Sequence, residues 1–196
     1  MPKSPITELP PDAVEVEHVV LTEPRLLLRL NFLGIIPMVA ALVIMALYWS
    51  LIAPLRPSIP PERAPLPDLL MIVLIFVTVL PIHELLHGAA IAWVGHKPRY
   101  GMKLDKGVLY ATADMALFRR DEYLIVALAP LVGITLGIML LLWIAPNGWV
   151  YWLSLGVILN AGGAIGDLYA VGSLLKYPRS VIVRDEEDGF RIWRRG

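Results

Sequence analysis

Residues 68–94 read DLLMIVLIFVTVLPIHELLHGAAIAWV. The stretch exceeds the about 20 residues that a helix needs to cross the hydrocarbon core of a bilayer. Past Asp68 its only ionisable side chains are His83, Glu84 and His87. Pro81 does not forbid a helix, because a membrane span tolerates proline where neighbours satisfy the carbonyl that it frees. On a helix, residues four apart stand one above the other on the same face, so the imidazoles of His83 and His87 can reach one metal ion. Glu84 points aside, where its carboxylate can take a proton from water rather than ligate the metal.

Three further blocks have the same character. Leu30 to Ala53 and Tyr123 to Ala145 carry no charge, and Trp149 to Leu175 carries few polar positions. Each is long enough to span with some tilt. Over the whole chain 57% of the 196 residues are hydrophobic and only 17% charged, whereas a soluble domain carries about a quarter charged residues. The expectation is a membrane all-α protein, with four transmembrane helices and short cytoplasmic β-hairpins. Its parts are an N-terminal cytoplasmic segment (1–29), a four-span membrane domain (30–175) and a cytoplasmic tail hairpin (176–196). Acidic residues such as Glu8, Asp12, Glu15 and Glu17 run through the first segment, unlike a signal peptide, so the first apolar block reads as a retained anchor.

Of the 17 lysines and arginines, only Arg56 and Arg63 lie in the loops that follow the first and third spans. The positive-inside rule therefore puts both termini in the cytoplasm of an integral cell-membrane protein. The 17 basic residues are matched by 17 acidic ones, so no global charge points to nucleic acid. Residues 54–67 are proline-rich and read as an ordered or extended loop, and Pro146-Asn147-Gly148 reads as a turn. Two hairpins are expected on the cytoplasmic side. One runs from Arg99 to Ala113 around Asp105-Lys106-Gly107. The other joins Val181–Val183 to Phe190–Trp193.

Away from the span ends, the ionisable residues of all four blocks are His83, Glu84, His87 and Asp167. Such groups cost about 2.5–3.5 kcal/mol each at the centre of a span, so function or pairing must hold them there. The chain has no cysteine, which leaves a metal to His, Asp and Glu. Catalytic zinc takes three protein ligands and keeps one position for water, and His83, His87 and Asp167 supply three. At 1.5 Å per residue, His87 and Asp167 lie about 10 and 12 Å from the inner ends of their spans, so the ligands can meet at one level. Asn160, two turns before Asp167, faces the same way, where it can hydrogen-bond a substrate strand or, with no role in chemistry, a neighbouring helix. The small residues from Ala161 to Gly166 allow close helix approach.

These residues resemble the site-2 protease group of intramembrane metallopeptidases, and within it a family of small four-span zincin-like proteins. The resemblance rests on Pro81 to Gly88, Ala127-Leu128-Ala129-Pro130 and Asn160 to Asp167, and covers roughly residues 65–175. It implies a site-2-protease-like core, one Zn2+ on His83, His87 and Asp167, Glu84 as general base, and a membrane-protein or peptide substrate cleaved near the cytoplasmic face. Larger members carry Asn-x-x-Pro…Asp-Gly around the aspartate. Here no proline intervenes and Leu168 follows Asp167.

Two other readings use the same residues. A proton or ion relay would spread polar groups along a whole span, yet the outer halves are apolar. A catalytically silent zinc scaffold would not need Glu84. A bis-histidine haem site fails, since His83 and His87 share one helix face. His96 reads as a solvated surface residue, and His18 has no visible partner.

Overall fold

The computed structural model describes residues 5–56, 66–103, 108–113 and 115–196. The middle of the proline-rich loop and the Asp105-Lys106-Gly107 turn lie outside the described residues. In chain order the elements are β1 (Ala13–Val20), α1 (Pro24–Leu33), α2 (Ile35–Ile52), α3 (Asp68–Trp93), β2 (Arg99–Lys103), β3 (Val108–Thr112), β4 (Leu117–Arg119), α4 (Arg120–Leu141), α5 (Val150–Gly163), α6 (Ile165–Leu174), β5 (Ile182–Glu186) and β6 (Gly189–Arg195). The fold is mostly helical, with a small antiparallel sheet.

Three helical stretches are long and apolar enough to cross a membrane: Pro24–Leu55, Asp68–Trp93 and Arg120–Leu141. The expected fourth span is broken. Its first part ends at Gly163 and α6 leaves at 47°. Adjacent Gly162 and Gly163 give the helix little resistance to a bend. The Ala164 N–H still bonds the Asn160 carbonyl at 2.9 Å. The bend makes Ile165 a new helix start and puts Asp167 in the first turn of α6, where the helix dipole favours a carboxylate.

The chain divides into two compact units. The first comprises residues up to Leu30, Glu84–Pro130 and Gly166–Gly196. Its four-stranded antiparallel sheet has the order β1-β6-β5-β4, and β2 and β3 form a separate hairpin. Phe118, Val183, Phe190 and Ile192 are fully buried on one face of the sheet, in a cluster with Ile91 of α3 and Val94 just past its end, Val126 of α4, and Ala170 and Leu174 of α6. Burial of a side chain of this size contributes about 1.5–3 kcal/mol. Spacing is what matters for the site. Ile91 follows His87 on the same face of α3, and Ala170 and Leu174 follow Asp167 on the same face of α6, so one core sets the rotation of both helices. Where β6 begins, a side chain at Gly189 would run into the Val19 carbonyl, so only glycine lets β1 approach.

β1 lies in the N-terminal segment, to which the sequence reading assigned no element. It pairs antiparallel with β6 from Ala13↔Arg195 to Val20↔Gly189. Val14, Val16 and the intervening Glu15 and Glu17 do alternate in the strand manner. The tail strands run further than expected and turn at Glu187-Asp188.

The second unit holds Asn31–His83 and Leu131–Ile165. Its core is Ala41, Met45, Ile52, Leu142, Val157 and Ala161. The Tyr48 hydroxyl donates to the Met139 carbonyl at 2.7 Å. Arg56 stands over the Trp49 ring at 4.8 Å and donates to Asn147 Oδ1 at 3.1 Å and to the Ala145 carbonyl. Elsewhere the helices turn large apolar side chains outward, including Leu69, Val73, Phe76 and Val77 of α3. In water such a surface would be an aggregation liability; against lipid it is the expected exterior.

Candidate functional site

His83 and His87 are both buried and project from consecutive turns of α3, as their spacing requires. The His83 Nδ1 lies 2.8 Å from Asn160 Oδ1, and Asn160 is itself 2% exposed. The His87 Nδ1 lies 2.9 Å from the Val126 carbonyl oxygen. A carbonyl oxygen only accepts, so His87 Nδ1 carries a proton, which leaves Nε2 as the ring's ligand atom for a metal. With the Asn160 amide as placed, His83 is in the same tautomer. Fixing the tautomer through the second ring nitrogen is how proteins orient histidine ligands.

The His87 Nε2 points at Asp167 Oδ1 from 3.4 Å. Bonds of about 2.0–2.1 Å at tetrahedral angles put two zinc ligands about 3.3 Å apart, so this pair has the separation of two ligands on one ion. Together, His83, His87 and Asp167 offer ligand atoms that all lie within 4.8 Å of one another. Two imidazole nitrogens and one carboxylate oxygen form a three-donor set suited to zinc. The donors fit the metal. Glu84 is half-buried beside them on α3.

Gly88 explains how the hairpin reaches α3. A side chain there would collide with the Tyr100 hydroxyl and ring, so its absence lets β2 lay Tyr100 on the helix next to His87, one turn past Glu84. The sequence reading identified the hairpin but not this contact.

A buried carboxylate braces the same unit. Asp185 of β5 accepts hydrogen bonds from the Thr112 hydroxyl (2.5 Å), the Ala113 N–H (2.9 Å) and the Tyr123 hydroxyl (3.0 Å). Burial pushes its pKa above the usual carboxylate value, against the pull of these three donors. It ties the tail to the end of β3 and to the first turn of α4, three residues before Val126. The tail turn signals gave no hint of it.

Two histidines differ from the sequence reading. His96 is half-buried rather than a free surface group; its ring lies 4.3 Å from Phe118, and its Nε2 is buried with no hydrogen-bond partner among the described residues. Burial lowers its pKa, which keeps the ring neutral on the core. His18 does have a partner, Glu186, at 3.5 Å across the sheet.

With this geometry in place, comparison with known families gives one match. Residues 67–182 match a family described as "Putative zincin peptidase". The chain belongs to that family. The match covers α3 through the start of β5, and so takes in His83, Glu84, His87, Asn160 and Asp167. Membership in a zincin peptidase family makes zinc the expected metal and peptide hydrolysis the expected chemistry. No curated protein and no solved structure matches the chain.

Proposed function

We infer that this zincin-family chain is an intramembrane zinc metallopeptidase, built on four spans and a site-2-protease-like core, that hydrolyses peptide bonds of membrane-associated substrates near the cytoplasmic face. The observation that carries the reading is the convergence of His87 Nε2 and Asp167 Oδ1 at 3.4 Å, with His83 completing the group beside Glu84. The apolar exterior of the helices and the concentration of lysine and arginine on one side support the lipid bilayer as the medium and cytoplasmic termini.

Zinc held by His83, His87 and Asp167 supplies Lewis acidity, polarising the scissile carbonyl and lowering the pKa of water toward about 7. Glu84 accepts the proton of the attacking water as its oxygen bonds the carbonyl carbon. The same carboxyl returns a proton to the amide nitrogen as the C–N bond breaks, leaving a carboxylic acid and an amine. Asn160 and the Val126 carbonyl hold the two imidazoles in the metal-binding tautomer throughout. For Asn160 this orienting role sits beside the substrate contact expected from sequence. A helical substrate must unwind before its peptide bond is accessible, and the β2–β3 hairpin offers strand edges for the extended segment.

The test is elemental mass spectrometry on detergent-purified protein. Wild type and Glu84→Gln are expected to carry near-stoichiometric zinc, His87→Ala and Asp167→Ala little or none, and Glu84→Gln no peptidase activity. Folded wild-type protein that stays metal-free with zinc supplied during growth would turn the cluster into a polar relay and end the peptidase reading.

A further inference from the structure

Within α4 the residue four places beyond Val126 is Pro130. In an unbroken α-helix the N–H of residue 130 donates to the carbonyl of residue 126. Proline has no N–H, and its ring presses on that same carbonyl and tilts it away from the helix axis. The carbonyl released in this way accepts the His87 Nδ1–H at 2.9 Å. Val126 is buried, at 7% exposure, so no bulk water competes for its oxygen. An unpaired carbonyl in such a place costs free energy, and a histidine ring N–H removes that cost.

We propose that Pro130 is a positioning residue for the metal centre, which by withholding its own N–H makes the Val126 carbonyl the acceptor that fixes His87 with Nε2 toward the metal. The inference rests on the ligand role given to His87. It concerns an atom that Pro130 lacks rather than a contact that it makes. Replacing it with an ordinary residue restores a donor that rivals His87 for one oxygen. The helix gains a hydrogen bond, and the histidine loses its anchor. Stability and metal affinity therefore move in opposite directions, which a packing role for the ring would not produce.

The experiment uses the full chain in detergent, with Pro130→Ala and Pro130→Gly beside wild type. Zinc affinity is read by competition with a chromogenic chelator, and the unfolding temperature of zinc-stripped protein by tryptophan fluorescence. Both variants restore the N–H, so both should bind zinc about 10–100-fold more weakly, the usual loss when a ligand's outer partner is removed. Zinc-stripped Pro130→Ala should unfold at the wild-type temperature or a few degrees above it, alanine being the better helix former. Unchanged affinity in both variants overturns the inference and leaves the ligand assignment standing. Weakened affinity with an equally lowered unfolding temperature overturns it too, as does failure of both variants to accumulate, since a residue needed only to free a carbonyl is dispensable for folding. Wild type that binds no zinc removes the ligand assignment itself, and this inference with it.

Discussion

At the scale of single residues, charge and hydrogen bonding are settled by burial. Asp185 has three donors and almost no solvent, so removing it strands buried donors that cost about 1–3 kcal/mol apiece. Asp185→Ala should lower the unfolding temperature well below that of Asp185→Asn, whose amide oxygen can keep the two donors at Oδ2 while its NH2 donates to the Tyr123 oxygen. The acid also leaves a pH signature. Burial raises its folded pKa above the ordinary carboxylate value, so the folded state binds this proton more tightly than the unfolded chain. The stabilisation is full below the unfolded value and is lost as pH rises through the folded one. The Asn variant should accordingly gain on wild type as pH is raised from about 4 toward neutrality; a gap that stays constant over that window would mean that Asp185 is not titrating there. The candidate ligand set was legible in the sequence because HExxH spacing and charge within an apolar block are both local facts. Asp185 was not, because its meaning depends on Thr112 and Tyr123, far away in the chain.

Elements were legible in proportion to their periodicity and length. Helix α3 matches the reading of residues 68–94 to within a residue. The last span was read as one helix because its composition is continuous; the bend comes from two glycines whose weakness shows only once packing chooses a direction. The hairpin β2–β3 is the element with a functional forecast. Gly101 and Tyr110 are register partners, and proline at both positions removes ladder donors without touching a ligand. Zinc content should remain at the wild-type level while cleavage is lost. Cleavage at the wild-type rate in that variant would sink the edge-strand role.

For the whole molecule, orientation is the open quantity, and the chain is convenient for measuring it because it has no cysteine. Single cysteines at Asn147 and Ser180, both exposed, report the two sides. With an impermeant maleimide on intact cells, position 147 should label at once and position 180 only after permeabilisation; the reverse pattern would invert the topology. Composition made the long apolar helices legible, but the sheet that pairs β1 with β6 was hidden, since the two strands lie far apart in the sequence. That pairing governs when the molecule can come alive during synthesis. β6 lies between β1 and β5 in the sheet, yet in the chain it follows every other described element. The histidines and the aspartate are therefore made before the sheet that packs against α3 and α6 is complete. Until β6 emerges, a nascent chain has its candidate ligands but not the strand that joins β1 to β5.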